Sequence, residues 1–110
     1  MAARTFVVVG GTSGLGLATA RILSAEHQVV VLGNVEAEVA TVLADPELDA
    51  LVCDIACPEQ VREAFDAVAA RYGAIDGVAD CASMWAGGAL EDMPVEAVQR
   101  AIEVNVLGTT

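Results

Sequence analysis

Residues 7–16, Val-Val-Val-Gly-Gly-Thr-Ser-Gly-Leu-Gly, set four glycines in seven positions directly behind a β-branched run. Glycine weakens helix and strand interiors alike, because ordering it costs the most backbone entropy and it brings no side chain to pack. Bare backbone at this point serves either a tight turn or the close approach of a phosphate group. Gly10, Gly14 and Gly16 follow a G-x-x-x-G-x-G spacing. In the phosphate reading, Gly10 turns the chain off a strand, Gly14 lets backbone approach a pyrophosphate, and Gly16 packs a helix closely on that strand. Free N–H groups at the helix start, with the positive end of its dipole, then hold the anion. The hydroxyls of Thr12 and Ser13 add contacts.

The remaining pattern alternates between two periods. Thr5–Val9 predicts a strand, and the glycine loop opens a helix from about Gly14 to Ala25. Gln28–Leu32 predicts a second strand. Asn34 is placed to cap a helix that ends before Asp45-Pro46. Asp49–Cys53 predicts a third strand. Pro58 then sits at the first position of a helix whose Val61, Phe65, Val68 and Tyr72 share one face, with Gly73 closing it. Ile75–Ala82 predicts a fourth strand, weakened by Gly77 and Asp80. A loop over Ser83–Met93 follows, and Pro94 begins a last helix with Val95, Val98 and Ile102 on one face. Strand–helix alternation with short connections predicts an α/β fold, a Rossmann-type doubly wound parallel sheet in the order 3-2-1-4 with helices on both faces.

Composition narrows the chemistry. The chain has 110 residues, the size of one domain or a piece of one, and 55% are hydrophobic. No apolar run approaches the roughly 18 residues that cross a membrane. Met1-Ala2-Ala3-Arg4 leads straight into a strand, which leaves no room for a signal peptide, so the expected location is intracellular and cytoplasmic. A net charge of −11 argues against nucleic-acid and anionic-membrane partners, both of which need a basic footprint. All five cations are arginine. The absence of lysine excludes a Walker-type phosphate loop and Schiff-base chemistry within these residues. Cys53, Cys57 and Cys81 have no C-x-x-C spacing, and the single histidine, His27, lies far from them in sequence. Buried free thiols are favoured over a metal or redox site, and no metal is expected. Met84 and Trp85 either line a substrate pocket or anchor their loop.

The glycine loop resembles the nucleotide-binding loop of the short-chain dehydrogenase/reductase family, whose pattern is T-G-x-x-x-G-x-G; Val9 stands in the place of its threonine. Three further segments carry the likeness. Cys53-Asp54-Ile55 resembles the family's aspartate segment that bonds the adenine amino group. Asp80-Cys81-Ala82-Ser83 occupies the place of N-N-A-G, with three of its four residues replaced. Glu103-Val-Asn105-Val-Leu-Gly108 resembles V-N-x-x-G, whose asparagine organises the catalytic proton relay. The resemblance implies NAD(P) as cofactor, held by Gly10, Thr12, Ser13, Gly14, Leu15, Gly16, Asn34, Asp54, Ile55, Cys81, Ala82 and Ser83, and it implies Asn105 as the catalytic-site residue. The substrate would be a small alcohol or carbonyl compound.

An acidic residue about 20 positions past the loop takes the ribose 2′-hydroxyl in NAD-specific folds. Here that place holds Gly33-Asn34, which is neutral, so weak discrimination with a slight lean to NADP is expected. Asn105 lies three residues beyond Ile102, on the stripe that faces the core, and a core-facing amide requires hydrogen-bond partners. In the competing reading the helix end turns outward and Val106 is the buried residue. The family's catalytic serine and Y-x-x-x-K pair find no match: Tyr72, the only tyrosine, is followed four residues later by Asp76 and lies on an apolar stripe. Residues 1–110 are therefore read as an NAD(P)-binding domain, the N-terminal half of such an enzyme, with the edge of the Ile75–Ala82 strand paired in a homo-oligomer or with a complementary C-terminal part. Two functions remain open, the cofactor-binding part of an oxidoreductase and a non-catalytic dinucleotide-binding or scaffold subunit.

Overall fold

A computed structural model of the protein describes residues 3–83 and 88–109, so Met84 and Trp85 lie outside the described residues. Its centre is a four-stranded parallel sheet in the order β3-β2-β1-β4, as the alternation predicts. The strands are β1 (Thr5–Val9), β2 (Gln28–Gly33), β3 (Asp49–Val52) and β4 (Gly77–Asp80). Among the described residues four α-helices alternate with them: α1 (Gly14–Ser24), α2 (Glu36–Leu43), α3 (Pro58–Tyr72) and α4 (Val95–Ile102). A short 3-10 turn, Leu90–Asp92, precedes α4, and a π-helical turn, Glu103–Leu107, follows it.

β1 and β2 pair from Thr5 with Gln28 to Val9 with Leu32. Both are buried on two faces, which is why they read as unbroken valine runs rather than alternating patterns. On one face Val8, Val29 and Val31 pack with Ala20 of α1 and with Val39 and Val42 of α2. On the other, Val7, Val9, Val30 and Leu32 pack with Ala64 and Val68 of α3. Helices therefore cover both faces, and Val61, Phe65 and Tyr72 join the second cluster as the helical spacing predicts.

Boundaries around β2 and β4 move for identifiable reasons. β2 runs one residue further than predicted because Gly33 pairs with Val52 and its carbonyl accepts the Cys53 N–H at 2.8 Å. That pulls the start of α2 along the chain: Val35 is its N-cap, without a side-chain cap bond, and Asn34 is not the cap. β4 is shorter than Ile75–Ala82 because aspartates hold both ends. The Asp76 and Cys81 N–H groups still reach the Thr5 and Val9 carbonyls at 2.8 Å, but Asp76 Oδ2 accepts the Thr5 N–H at 2.7 Å and Asp80 Oδ1 accepts the Ala82 N–H at 3.1 Å, so regular pairing goes no further. No helix among the described residues is long and apolar enough to cross a membrane.

Opposite the glycine loop, Asp49 at the start of β3 meets the end of α3. Its carboxylate accepts the Tyr72 hydroxyl at 2.7 Å and pairs with the Arg71 guanidinium. Burial by itself raises the pKa of Asp49, but these two bonds and the Ala50 N–H outweigh it, so the pKa falls below the ordinary carboxylate value; burial and Asp49 together raise that of Tyr72. A depressed carboxylate pKa contributes stability in full above the unfolded value near 4, and the contribution fades as pH falls through the lower folded value. Tyr72→Phe should cost about 1 kcal/mol at pH 7. Urea titrations at pH 7 and pH 3 should show a smaller acid loss in the variant than in the unmodified protein. Equal losses would remove the Tyr72–Asp49 bond from the account.

Candidate functional site

The carboxyl ends of all four strands open on one cleft of about 500 Å³. It lies where the sheet order reverses: from β1 the chain moves out to β2 and β3, then returns to β4 on the other side of β1. Such a reversal leaves a crevice that no connection crosses, the place where open parallel sheets receive ligands.

The glycine loop forms one wall. Gly10 leaves β1 with φ +74°, a left-handed conformation that favours glycine, and a Cβ there would stand 2.7 Å from the Ala82 backbone. At Gly16 a Cβ would come within 2.1 Å of the Gly10 carbonyl oxygen, so α1 begins pressed against the turn. Gly14 has φ +55° and open space around the position of a Cβ. Ser13 is the N-cap of α1 but makes no side-chain cap bond, and the Leu17 N–H reaches the Ser13 carbonyl at 3.2 Å. The N–H groups of the first turn thus remain for a ligand. No acidic residue occupies that turn, which leaves the positive end of the helix dipole uncompensated. The cradle fits a pyrophosphate without any lysine.

The structure brings most of the sequence-derived residues together. Gly10, Thr12, Ser13, Leu15 and Gly16 line the cleft from the loop, Asn34 from the end of β2, and Asp54 and Ile55 from the end of β3. Cys81, Ala82 and Ser83 line it from the end of β4. Gly14 does not stand on the wall; its part is the left-handed backbone that starts the helix. Six further residues line it that the sequence reading did not place in the site: Val9, Leu32, Gly33 and Cys53 at the strand ends, and Glu38 and Val104 on helices. Glu38 could have been found by counting one turn into α2, since a helix whose N-terminus faces the cleft presents its first turn there too.

Asn105 does not face the core, and the helix end turns outward there as the competing reading has it, but with a different buried residue. Asn105 is exposed, and it is not on the cleft wall. Val106 is not the buried residue either, at 53% exposure, and Ile102 is half exposed; Val104 is buried at 7% and lines the cleft. The cause is the π-helical turn, in which the Gly108 N–H donates to the Glu103 carbonyl at 2.7 Å, an i→i+5 bond. The wide turn shifts the helical phase, so counting by 3.6 from Ile102 selects the wrong residue.

Asp54 is held on several sides. Its Oδ1 accepts the Ala56 N–H at 3.0 Å, its own N–H donates to Gln60 Oε1 at 2.8 Å, and its Oδ2 accepts from Arg100 Nη2 at 3.0 Å. All three cysteines are free. Burial pushes the Cys53 thiol above its ordinary pKa, with Asp54 and Cys57 adding to the effect, so Cys53 stays a neutral apolar wall residue at pH 7. Tyr72 bonds Asp49 at the far end of the sheet and takes no part in the cleft.

With that geometry in place, the sequence matches the short chain dehydrogenase family over residues 4–110. Among curated proteins it is 33% identical over 113 residues to 2,5-dichloro-2,5-cyclohexadiene-1,4-diol dehydrogenase of Sphingobium indicum, covering 99% of this chain and 45% of that protein. It is 34% identical over 113 residues to cis-4-hydroxycyclohexanecarboxylate dehydrogenase of Sinomonas cyclohexanicum, covering 97% and 45%. Among solved structures, actinorhodin polyketide ketoreductase with NADPH superposes with a TM-score of 0.89 at 29% identity, covering 97% of this chain and 43% of that one. The chain thus spans less than half the length of these relatives.

Gly14 and Gly16 separate fold from site. Gly16→Ala forces a methyl onto the Gly10 carbonyl and should cost about 3 kcal/mol. Gly14→Ala meets open space and should cost only the left-handed penalty, about 1 kcal/mol. Chemical denaturation of both variants checks the order; equal losses would contradict the packed start of α1.

Proposed function

The chain belongs to the short-chain dehydrogenase family, and on that premise we propose that it is the cofactor-binding part of an NAD(P)-dependent oxidoreductase that interconverts an alcohol and a carbonyl compound. The observation that carries this reading is the unpaired first turn of α1 opening on a cleft at the sheet's reversal point. The N–H groups at Ser13–Gly16 would hold the pyrophosphate, Asp54 and Ile55 would receive the adenine end, and Cys81, Ala82 and Ser83 would receive the nicotinamide ribose. When bound, the cofactor supplies hydride transfer. These residues bind and orient it. Asn105 is the residue proposed for the catalytic relay, while proton transfer falls to groups elsewhere in the protein, since Tyr72 is committed to Asp49.

The substrate is a small molecule. The open edge of β4, with Val78 at 52% exposure, and the exposed Val95, Ile102, Val106 and Leu107 support association with a second copy or with a further part of the protein. A cytoplasmic setting agrees with three unpaired thiols. The alternative, a dinucleotide-binding subunit without catalysis, draws on the three replacements at Asp80, Cys81 and Ser83; full-affinity binding without turnover in the whole protein would select it.

Leu15 is 78% exposed on the first turn of α1 and lines the cleft. Leu15→Glu should leave the fold as stable or raise it by about 0.3–1 kcal/mol, because a carboxylate there complements the helix dipole. The same charge should weaken NADH and NADPH binding at least tenfold, about 1.4 kcal/mol, by fluorescence titration. Undiminished affinity in this variant would sink the phosphate reading.

Cofactor choice has two opposing contributors. Neutral Asn34 gives the slight lean to NADP, and the Glu38 carboxylate on the same cleft opposes a 2′-phosphate. Discrimination should stay under about a hundredfold, 2.7 kcal/mol. Glu38→Gln should move the ratio of affinities toward NADPH by about fivefold, as the loss of one partly screened charge allows. A ratio that does not move would exclude Glu38 from the choice.

A further inference from the structure

Asp54 sits in a turn that is almost entirely self-contained. The Ala56 N–H, the Cys57 N–H and the Gln60 side chain, all within six residues, bond its carboxylate, its carbonyl and its N–H. Arg100 is the exception. It comes from the last turn of α4, 46 positions away, and its Nη2 donates to Asp54 Oδ2 at 3.0 Å. Both side chains are about one-third exposed, at 35% and 31%, so water competes with the pair but does not surround it. Arg100 Nη1 lies 4.0 Å from Glu103 Oε2, which steadies the guanidinium on its own helix. A second contact joins the same two elements: a Cβ on Gly108 would stand 2.8 Å from Ile55 Cγ1, so the chain after α4 is seated closely on the turn that carries Asp54.

A carboxylate offers about four lone-pair positions, and Ala56 and Arg100 use one on each oxygen. The rest are available to a donor in the cleft, which Asp54 lines. A free aspartate would rotate among rotamers and lose entropy on accepting such a donor; a pinned one has met that cost before the ligand arrives. Arg100 also offsets one of the sixteen acidic charges at a site meant for an anion.

We propose that Arg100 is a positioning residue for the purine end of the bound nucleotide, fixing Asp54 so that its open lone pairs accept an exocyclic amino group. This rests on the dinucleotide reading of the cleft. Without Arg100 the turn keeps its local bonds, but the carboxylate loses the one partner that ties it to another helix.

The test compares NADH with reduced nicotinamide hypoxanthine dinucleotide, a near-isostere that carries a carbonyl oxygen, an acceptor, where adenine carries the amino donor. Affinities are measured by fluorescence titration for the unmodified protein and for Arg100→Met, Arg100→Gln and Arg100→Lys. The unmodified protein should prefer the adenine form by roughly tenfold, the worth of a hydrogen bond to a charged group. Met or Gln keeps most of the aliphatic stem, and either one that melts like the unmodified protein suffices. Each should bring the preference below about threefold while leaving the hypoxanthine form within about twofold of its original affinity. Lys restores the cation and should restore most of the preference. Equal weakening of both dinucleotides, or an unchanged preference, overturns the role of Arg100. Failure of the unmodified protein to bind either dinucleotide overturns the dinucleotide reading itself.

Discussion

At Gly10 the backbone leaves β1 in a left-handed turn and passes so close to the end of β4 that a methyl there would lie 2.7 Å from Ala82. The Gly10 N–H is meanwhile bonded to the Leu32 carbonyl of β2 at 2.9 Å. One residue thus joins three strand ends, and the direction of α1 follows from it. Because Gly16 has no side chain, the helix can begin against the Gly10 carbonyl rather than a side-chain width away. That brings a helix N-terminus to the carboxyl edge of the sheet and aims its donors across the strand ends. The cleft is a consequence of this tight exit, and the residues around it are those that the strand ends happen to present.

The sheet was legible because burial on two faces writes itself into composition. Val7 to Val9 and Val29 to Leu32 are all 7% exposed or less, and short β-branched runs followed by glycine are what a parallel sheet covered on both sides needs. The order and the helices followed from alternation. Strand ends were harder to read, because side-chain bonds from Asp76 and Asp80 set them, and such bonds depend on where a neighbouring backbone lies. The site was legible where it follows a strand end, as with Asp54 and Cys81, because each strand of a doubly wound sheet delivers its next residues to the same edge. Glu38 was missed because it belongs to a helix rather than a strand end. Asn105 was misplaced because helical periodicity has no mark for a wide turn; Glu103 to Leu107 carries no proline or internal glycine to warn of one.

The electrostatics run against a simple expectation. A chain with a net charge of −11 and no lysine is a poor candidate to hold an anion. On the proposed reading, partial charges fixed in the backbone take the place of mobile side-chain cations. Peptide dipoles at α1 cost no rotamer entropy and do not deprotonate. Acidic residues are kept out of the first turn of α1, while α2, α3 and α4 each carry at least one in theirs. The one carboxylate well placed at the β3 end, Asp54, is paired with an arginine. Repulsion is thus removed locally without changing the overall charge.

The wide turn after α4 is equivalent to one residue inserted into a regular helix. An insertion of this kind does not lengthen the helix so much as rotate everything beyond it about the axis, relative to everything before it. The segment therefore works as a vernier: Arg100 on the near side keeps its bearing on Asp54, while Val104 is turned inward and Asn105 outward by the added residue. Two faces of one helix can in this way be set to different bearings, each without disturbing the other. The cost is a loosened hydrogen-bond ladder confined to a few residues, which makes this the point on the helix where a small rotation meets the least resistance.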